Sequence, residues 1–225
     1  MRGIDISNHQ KDLDISSVLP NVGFVMCKAT EGLSFVDAYC DVFVQKCISA
    51  GKPWGFYHFA GDGNPEYEAS YFVEHTYNYF GKGLPMLDWE GDQSVEWVNR
   101  FVRKVHDMTQ VWPVIYGNPW RFNQGGVEPN CGRWVASYPN WYRPSLSIEL
   151  PEPPETDGLV CAWQFASDGV VPGAEGWELD VDEFYGDEAA WEAYAVGERG
   201  GASNPVGDSV SVLENGEYRI TVERK

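Results

Sequence analysis

Leu84-Pro85-Met86-Leu87-Asp88-Trp89-Glu90 is an apolar run of strand length that ends in two acids separated by one residue. In a strand, residues i and i+2 face the same side, so Asp88 and Glu90 point together while Trp89 turns away as packing. Two carboxylates on one inward face are costly to bury without a purpose or a set of partners. Outward from this run, residues 3–7, 24–29, 54–59, 113–117, 133–137, 160–165 and 178–181 read as further strands. Amphipathic stretches over residues 37–50, 65–80 and 94–109 lie between the earlier ones, the last with Val95, Val98, Val102 and Val105 on one stripe. Strands alternating with covering helices predict an α/β fold, and eight strands suit a closed barrel, whose active sites lie at the strand end where the two acids stand. Residues 142–157 carry Pro144, Pro151, Pro153 and Pro154 and cannot hold a useful helix, so loops join the later strands and the barrel is irregular in its second half.

Neighbouring carboxylates in a partly dry site raise one another's proton affinity, so one stays protonated as an acid while the other stays charged and supports a cation. Glycoside hydrolysis needs that division of labour. Glu90 has the longer side chain and stands nearer the strand end, which makes it the expected general acid and Asp88 the supporting group. Asp5, between Ile4 and Ile6, and Asp180, after Leu179, join them if the first and last strands are neighbours in a closed ring. A D-x-E string alone is only moderately specific, since surface acids and metal sites also produce it. Four carboxylates suit a divalent cation. His9, His58, His75 and His106 show no ligand-pair spacing, however, and neither a metal nor a cofactor is expected. No G-x-S-x-G elbow marks a serine hydrolase.

The chain has 225 residues, 43% of them hydrophobic, enough for one sizeable core. Ten Trp, twelve Tyr and eleven Phe exceed ordinary core needs, so some rings should line a binding surface. Tyr57, Tyr116, Tyr138 and Trp163, each near a strand end, are the candidates for sugar platforms or hydroxyl partners, with core packing the rival reading for each. Glu31, beside Gly32 just past a strand, is either a site residue or an ordinary loop acid. A net charge of -18 argues against a nucleic-acid partner and means that an anionic wall polymer must be held by short-range contacts. Cys27, Cys40, Cys47, Cys131 and Cys161 lack CxxC or zinc spacing and read as buried free thiols. No apolar leader or membrane-length run is visible, so no membrane insertion is expected.

Several motifs, in order, resemble the glycoside hydrolase 25 lysozymes. They are Gly3-Ile4-Asp5-Ile6-Ser7 with Gln10; Lys28-Ala29-Thr30-Glu31-Gly32; Gly55-Phe56-Tyr57-His58-Phe59; Asp88-Trp89-Glu90; Tyr116-Gly117; Trp134-Val135-Ala136-Ser137-Tyr138; Trp163-Gln164-Phe165; and Asp180-Val181-Asp182-Glu183-Phe184. The resemblance spans roughly residues 1–187. It implies an irregular, flattened eight-stranded (β/α)5(β)3 TIM-like barrel and hydrolysis of the β-1,4 bond between N-acetylmuramic acid and N-acetylglucosamine of bacterial peptidoglycan. It also implies Glu90 as general acid, Asp88 as its partner, and Asp5 and Asp180 as the remaining cleft acids. Asp182 stands where the family often has Asn, which leaves open which of Asp180 and Asp182 enters the site. Acids two residues apart on one strand are badly placed for attack from the opposite face, so the substrate's 2-acetamido group is the expected nucleophile. A carbohydrate-binding or virion adhesion protein on the same barrel and a chitinase-like hydrolase are the alternatives.

Three segments are expected: a catalytic barrel over residues 1–187, a helix and Gly-rich linker over 188–208, and a C-terminal β-hairpin over 209–225. Around Gly216 the hairpin would set Val210 and Val212 opposite Ile220 and Tyr218. A lone hairpin is marginal in water, so it should dock on the barrel or self-associate. Delivery to the wall would then depend on release from the cytoplasm, through a holin or on a virion.

Overall fold

The computed structural model describes residues 1–197 and the backbone of two later strands, Ser209–Val212 and Tyr218–Thr221. The barrel strands are β1 (Arg2–Ile6), β2 (Phe24–Glu31), β4 (Trp54–Phe59), β5 (Leu84–Asp88), β6 (Val114–Gly117), β7 (Arg133–Ala136), β8 (Val160–Gly169) and β9 (Leu179–Phe184), with a short β3 (Phe35–Val36) on the edge of β2. They form a ring in the order β1-β2-β4-β5-β6-β7-β8-β9, closed by pairing of β9 with β1. Neighbours run parallel except β9, which is antiparallel to both β8 and β1. Only residues 170–178 separate β8 from β9, and a parallel return would need a crossover of about a dozen residues or more. The α/β barrel of eight strands is therefore present. Its last strand runs on to Phe184, past the expected end at residue 181, and this carries Asp182 and Phe184 into the barrel.

The helices are α1 (Ile15–Val18), α2 (Cys40–Ser49), α3 (Pro65–Thr76), α4 (Val95–Thr109), α5 (Pro119–Phe122) and α6 (Glu188–Val196). α2 starts later than expected because the Asp37 carboxylate accepts from the N–H of Tyr39 and of Asn8, tying the turn to the loop after β1 instead of opening a helix. In α4 the Ser94 hydroxyl caps the first turn, Val98, Phe101, Val102 and Val105 are buried, and the helix stops at Gln110 in left-handed backbone. Between Gly117 and α6 the four-residue α5 is the one α-helix, as the prolines predict.

Strand alternation sorts the apolar residues into two layers. Phe24, Met26, Leu84, Met86, Val114, Trp134, Ala162 and Phe184 fill the barrel interior. Their sequence neighbours Val25, Cys27, Leu87, Ile115 and Val135 face outward and pack with Phe43, Val44, Phe72, Phe101 and Val102 of the helices. At Gly3 a Cβ would lie 2.5 Å from the Phe24 ring, so only glycine leaves room for that ring. α6 closes the end at which the parallel strands begin: the Trp191 ring lies 4.6 Å from Phe24 and 5.0 Å from Phe184, and its Nε1 donates to the Trp54 carbonyl at 3.1 Å. The opposite mouth stays open. All five cysteines are free and buried. Among the described residues no helix is long and apolar enough to cross a membrane.

Beyond α6, Ser209–Val212 pairs antiparallel with Tyr218–Thr221, with Val210 opposite Ile220 and Val212 opposite Tyr218. The Gly-rich linker expected before this pair, the loop around Gly216, and the side chains through which a hairpin would dock or self-associate lie outside the described residues.

Candidate active site

The open mouth holds a cleft of about 350 Å³ at the ends of the parallel strands, lined by Asp5, Lys28, Tyr57, Asp88, Glu90, Tyr116, Tyr138, Gln164 and Asp180. Side-chain alternation at the end of β5, continued through the two residues after it, produces its central feature. Asp88 is buried, Glu90 is exposed at the rim, and Trp89 between them is turned outward, where its Nε1 donates to the Gln93 carbonyl at 2.9 Å. Asp5 and Asp180 are directly paired across β1 and β9, and β9 stands four strands from β5 in either direction round the ring. The cleft therefore has Asp88 and Glu90 on one wall and Asp180 on the wall facing it.

Asp182 pairs in register with Gly3, one step deeper than Asp180. It is fully buried and accepts from Trp134 Nε1 at 2.9 Å. Asp180 lines the cleft and Asp182 lies beneath it. Tyr57 and Tyr116 are nearly buried on the cleft wall, and Tyr138 is half exposed at its rim.

Trp163 is not in the cleft. It faces the outer layer, 2% exposed, with Nε1 donating to the Ser137 carbonyl at 2.6 Å. Its neighbour Gln164 faces inward instead. Tyr116 Oη donates to Gln164 Oε1 at 2.8 Å, Tyr138 Oη donates to the same oxygen, and Gln164 Nε2 donates to Asp5 Oδ2 at 2.6 Å. Two phenols on the amide oxygen leave the amide nitrogen to face Asp5, so the network fixes the orientation of the side chain. The sequence marks Gln164 only weakly as a site residue. Its signal was a lone polar residue in the apolar run of β8. Glu31 does not line the cleft either; it holds Lys28 Nζ at 2.6 Å, and Lys28 in turn lies over the Phe59 ring at 4.7 Å.

Burial dominates the electrostatics. Asp88 is pushed well above the usual carboxylate range by burial first, then by the charges of Glu90 and Asp5. Asp180 is raised to about 8 by burial, Asp5 and Glu90. Asp5 reaches about 6, again through burial, with the Gln164 hydrogen bond pulling back. Asp182 is raised by burial and the Asp5 charge. The cleft thus stores protons beneath an exposed glutamate, an arrangement suited to delivering a proton to a leaving oxygen. Among the described residues no group of three His, Cys, Asp or Glu is arranged to hold a metal ion.

A second arm of about 300 Å³ continues from the first, lined by Trp89, Glu90, Tyr116, Asn118, Arg121, Ser137 and Tyr138. Glu90, Tyr116 and Tyr138 line both arms, so Glu90 stands at the junction of an extended groove. A groove suits a polymer better than a closed pocket would.

The model of the glycosyl hydrolases family 25 matches residues 4–174. An autolytic lysozyme of Clostridium acetobutylicum is 29% identical over 82% of this chain, which spans 56% of that lysozyme's length. An N,O-diacetylmuramidase of a Chalaropsis species is 27% identical, with 95% of this chain and 97% of that protein covered. Among solved structures, a bacterial lysozyme from Streptomyces coelicolor superposes with a TM-score of 0.72 at 26% identity, covering 87% of this chain and 97% of the other.

Proposed function

The chain belongs to glycosyl hydrolase family 25, and from that membership we propose that it is a lysozyme that hydrolyses the β-1,4 bond between N-acetylmuramic acid and N-acetylglucosamine in peptidoglycan, with Glu90 as general acid. The observation that carries the assignment is the place of Glu90: an exposed carboxyl at the junction of the two groove arms, two residues past buried Asp88 at the end of β5 and across from Asp180. A glycan laid along the groove presents a glycosidic oxygen to Glu90. Filling the groove expels water from around the carboxyl and leaves the glycosidic oxygen as its hydrogen-bond partner.

The nucleophile is the 2-acetamido oxygen of the sugar whose anomeric carbon is attacked. Asp88 Oδ1 is buried without a hydrogen-bond partner among the described residues, and this orphaned acceptor is suited to the acetamido N–H, orienting the carbonyl oxygen toward the anomeric carbon. Asp180, protonated near neutrality, faces the sugar from the opposite wall as a hydrogen-bond donor. Gln164 and Asp5 keep the floor of the cleft in one geometry, and Tyr138 offers a ring face or hydroxyl to the sugar.

Digestion of purified peptidoglycan, followed by reduction and mass spectrometry of the new ends, tests the reading. The wild type should release reduced muramic ends, and Glu90→Gln should lose about 10²–10⁴-fold in rate. Reduced glucosamine ends would make the protein a glucosaminidase, and cleavage of chitin in preference would make it chitinase-like. Well-folded protein that opens no wall would leave it a carbohydrate-binding barrel. Interception of a covalent glycosyl-enzyme by azide would refute the acetamido route.

A further inference from the structure

Resting on the lysozyme reading above, we propose that Arg121 binds a carboxylate carried on the 3-oxygen substituent of the muramoyl residue and so sets the preference for muramic acid over plain N-acetylglucosamine polymers. Arg121 lies on α5 and lines the second arm beside Glu90 and Tyr138. Its Nη2 donates to the Glu90 carbonyl at 2.6 Å and its guanidinium lies over the Trp89 ring at 5.2 Å. These contacts hold the planar fork in place while using few of its five N–H donors. Nε is buried with no hydrogen-bond partner, and Arg121 forms no ion pair among the described residues. Such a donor is costly to leave unmet, and a planar carboxylate is the ligand whose geometry fits it best.

The surroundings sharpen the assignment. The chain carries a net charge of -18, and the exposed Glu90 carboxyl stands where the two arms meet. An anionic substituent is repelled across most of that surface. Lys28, the lysine of the first arm, is already neutralised by Glu31 at 2.6 Å. Arg121 offers a cation without a carboxylate, and its anchor on the Glu90 backbone keeps it beside the bond to be cleaved. Two sources present the same chemistry: the lactyl carboxylate, free where the stem peptide has been removed, and the carboxylates of the stem peptide itself.

Steady-state kinetics on two pairs of soluble glycans separate them: peptide-stripped glycan with the lactyl carboxylates free or methyl-esterified, and peptide-bearing glycan with the stem carboxylates free or amidated. Wild type should show a KM about tenfold or more higher on the blocked member of one pair. Arg121→Gln should raise KM by a similar factor on the free member of that pair, with a much smaller change in kcat, and its added loss should vanish on the blocked member. Sensitivity in the stripped pair identifies the lactyl group, and sensitivity in the peptide-bearing pair identifies the stem. If wild type distinguishes neither pair, the proposal is overturned, whether or not the variant folds. An equal loss for Arg121→Gln on free and blocked glycan also overturns it, because Arg121 would then only hold the end of the Glu90 strand. Wild type that opens none of the glycans instead overturns the lysozyme reading, and this proposal falls with it.

Discussion

Asp180, raised to about 8, holds a proton in the folded chain at neutral pH that it would release on unfolding, and Asp5, raised to about 6, does the same at mildly acidic pH. An unfolded carboxyl titrates near 4, so between about pH 4 and 8 the folded state binds more protons and stability falls as pH rises. The contribution is complete below the unfolded value and is lost as pH climbs through the folded one. Tm should therefore fall by several degrees between pH 5 and pH 8, at roughly 2–4 °C per kcal/mol for a chain of this size. Asp180→Asn should flatten that fall. Calorimetry across the interval checks it, and a Tm that rises toward pH 8, or a variant with the parent's slope, would contradict the argument. The residues that hold the site together are also ones that cost it stability near neutrality.

The elements around the cleft are joined by a buried polar cluster behind the wall. Glu68 of α3, wholly buried, accepts from the N–H of Gly61 at 2.8 Å and of Gly63 at 2.6 Å, and pairs with His58 Nε2 at 3.1 Å. His58 Nδ1 meets Thr30 Oγ1 at 2.8 Å, so α3, β4 and β2 share one network. Burial holds His58 below its ordinary pKa, and a neutral ring that donates through Nε2 accepts from the threonine hydroxyl through Nδ1. The same loop accepts from Gln93 Nε2 at the Ala60 and Gly61 carbonyls, and the Gln93 carbonyl receives the Trp89 indole. Glu68 therefore steadies the loop that follows Glu90. Glu68→Ala should cost about 3–5 kcal/mol, because it leaves His58 and two glycine N–H groups without an acceptor in a buried place. Urea unfolding measures it, and a cost below about 1 kcal/mol would show that water takes over the role.

At the scale of the molecule, the barrel is a tube with one end plugged and the other open as the candidate cleft. The plug is α6, whose Trp191 meets rings from β2, β7 and β9. The packing of the barrel thus continues past residue 187, and strands contributing to both walls rest on one indole. Trp191→Ala should destabilise the chain by about 3–5 kcal/mol, read from the urea midpoint at unchanged slope. If the loss were confined to local fraying of α6, the midpoint would barely move. The plug also explains why the rings of Phe24, Trp134, Phe184 and Trp191 crowd the lower barrel while the upper barrel holds acids: apolar filling below leaves the polar groups only one way out, toward the mouth.

Much of this was legible in the chain itself. Alternation in residues 84–90 put Asp88 and Glu90 on one face, the succession of apolar runs implied a closed α/β ring, and the ordered motifs named the family, because each of these depends on neighbours close in sequence. Other features depended on which distant residues meet. The direction of Trp163 is one of these, because aromatic richness says how many rings to expect but not which way one faces, and the register of β8 turns it outward while sending Gln164 in. The bond from Gln164 to Asp5 joins residues 159 apart, and no local pattern encodes it. The depth of Asp182 below Asp180, the Trp191 plug and the unpaired guanidinium of Arg121 likewise arose only on ring closure, when the first and last strands met and the loops between them were brought over one mouth.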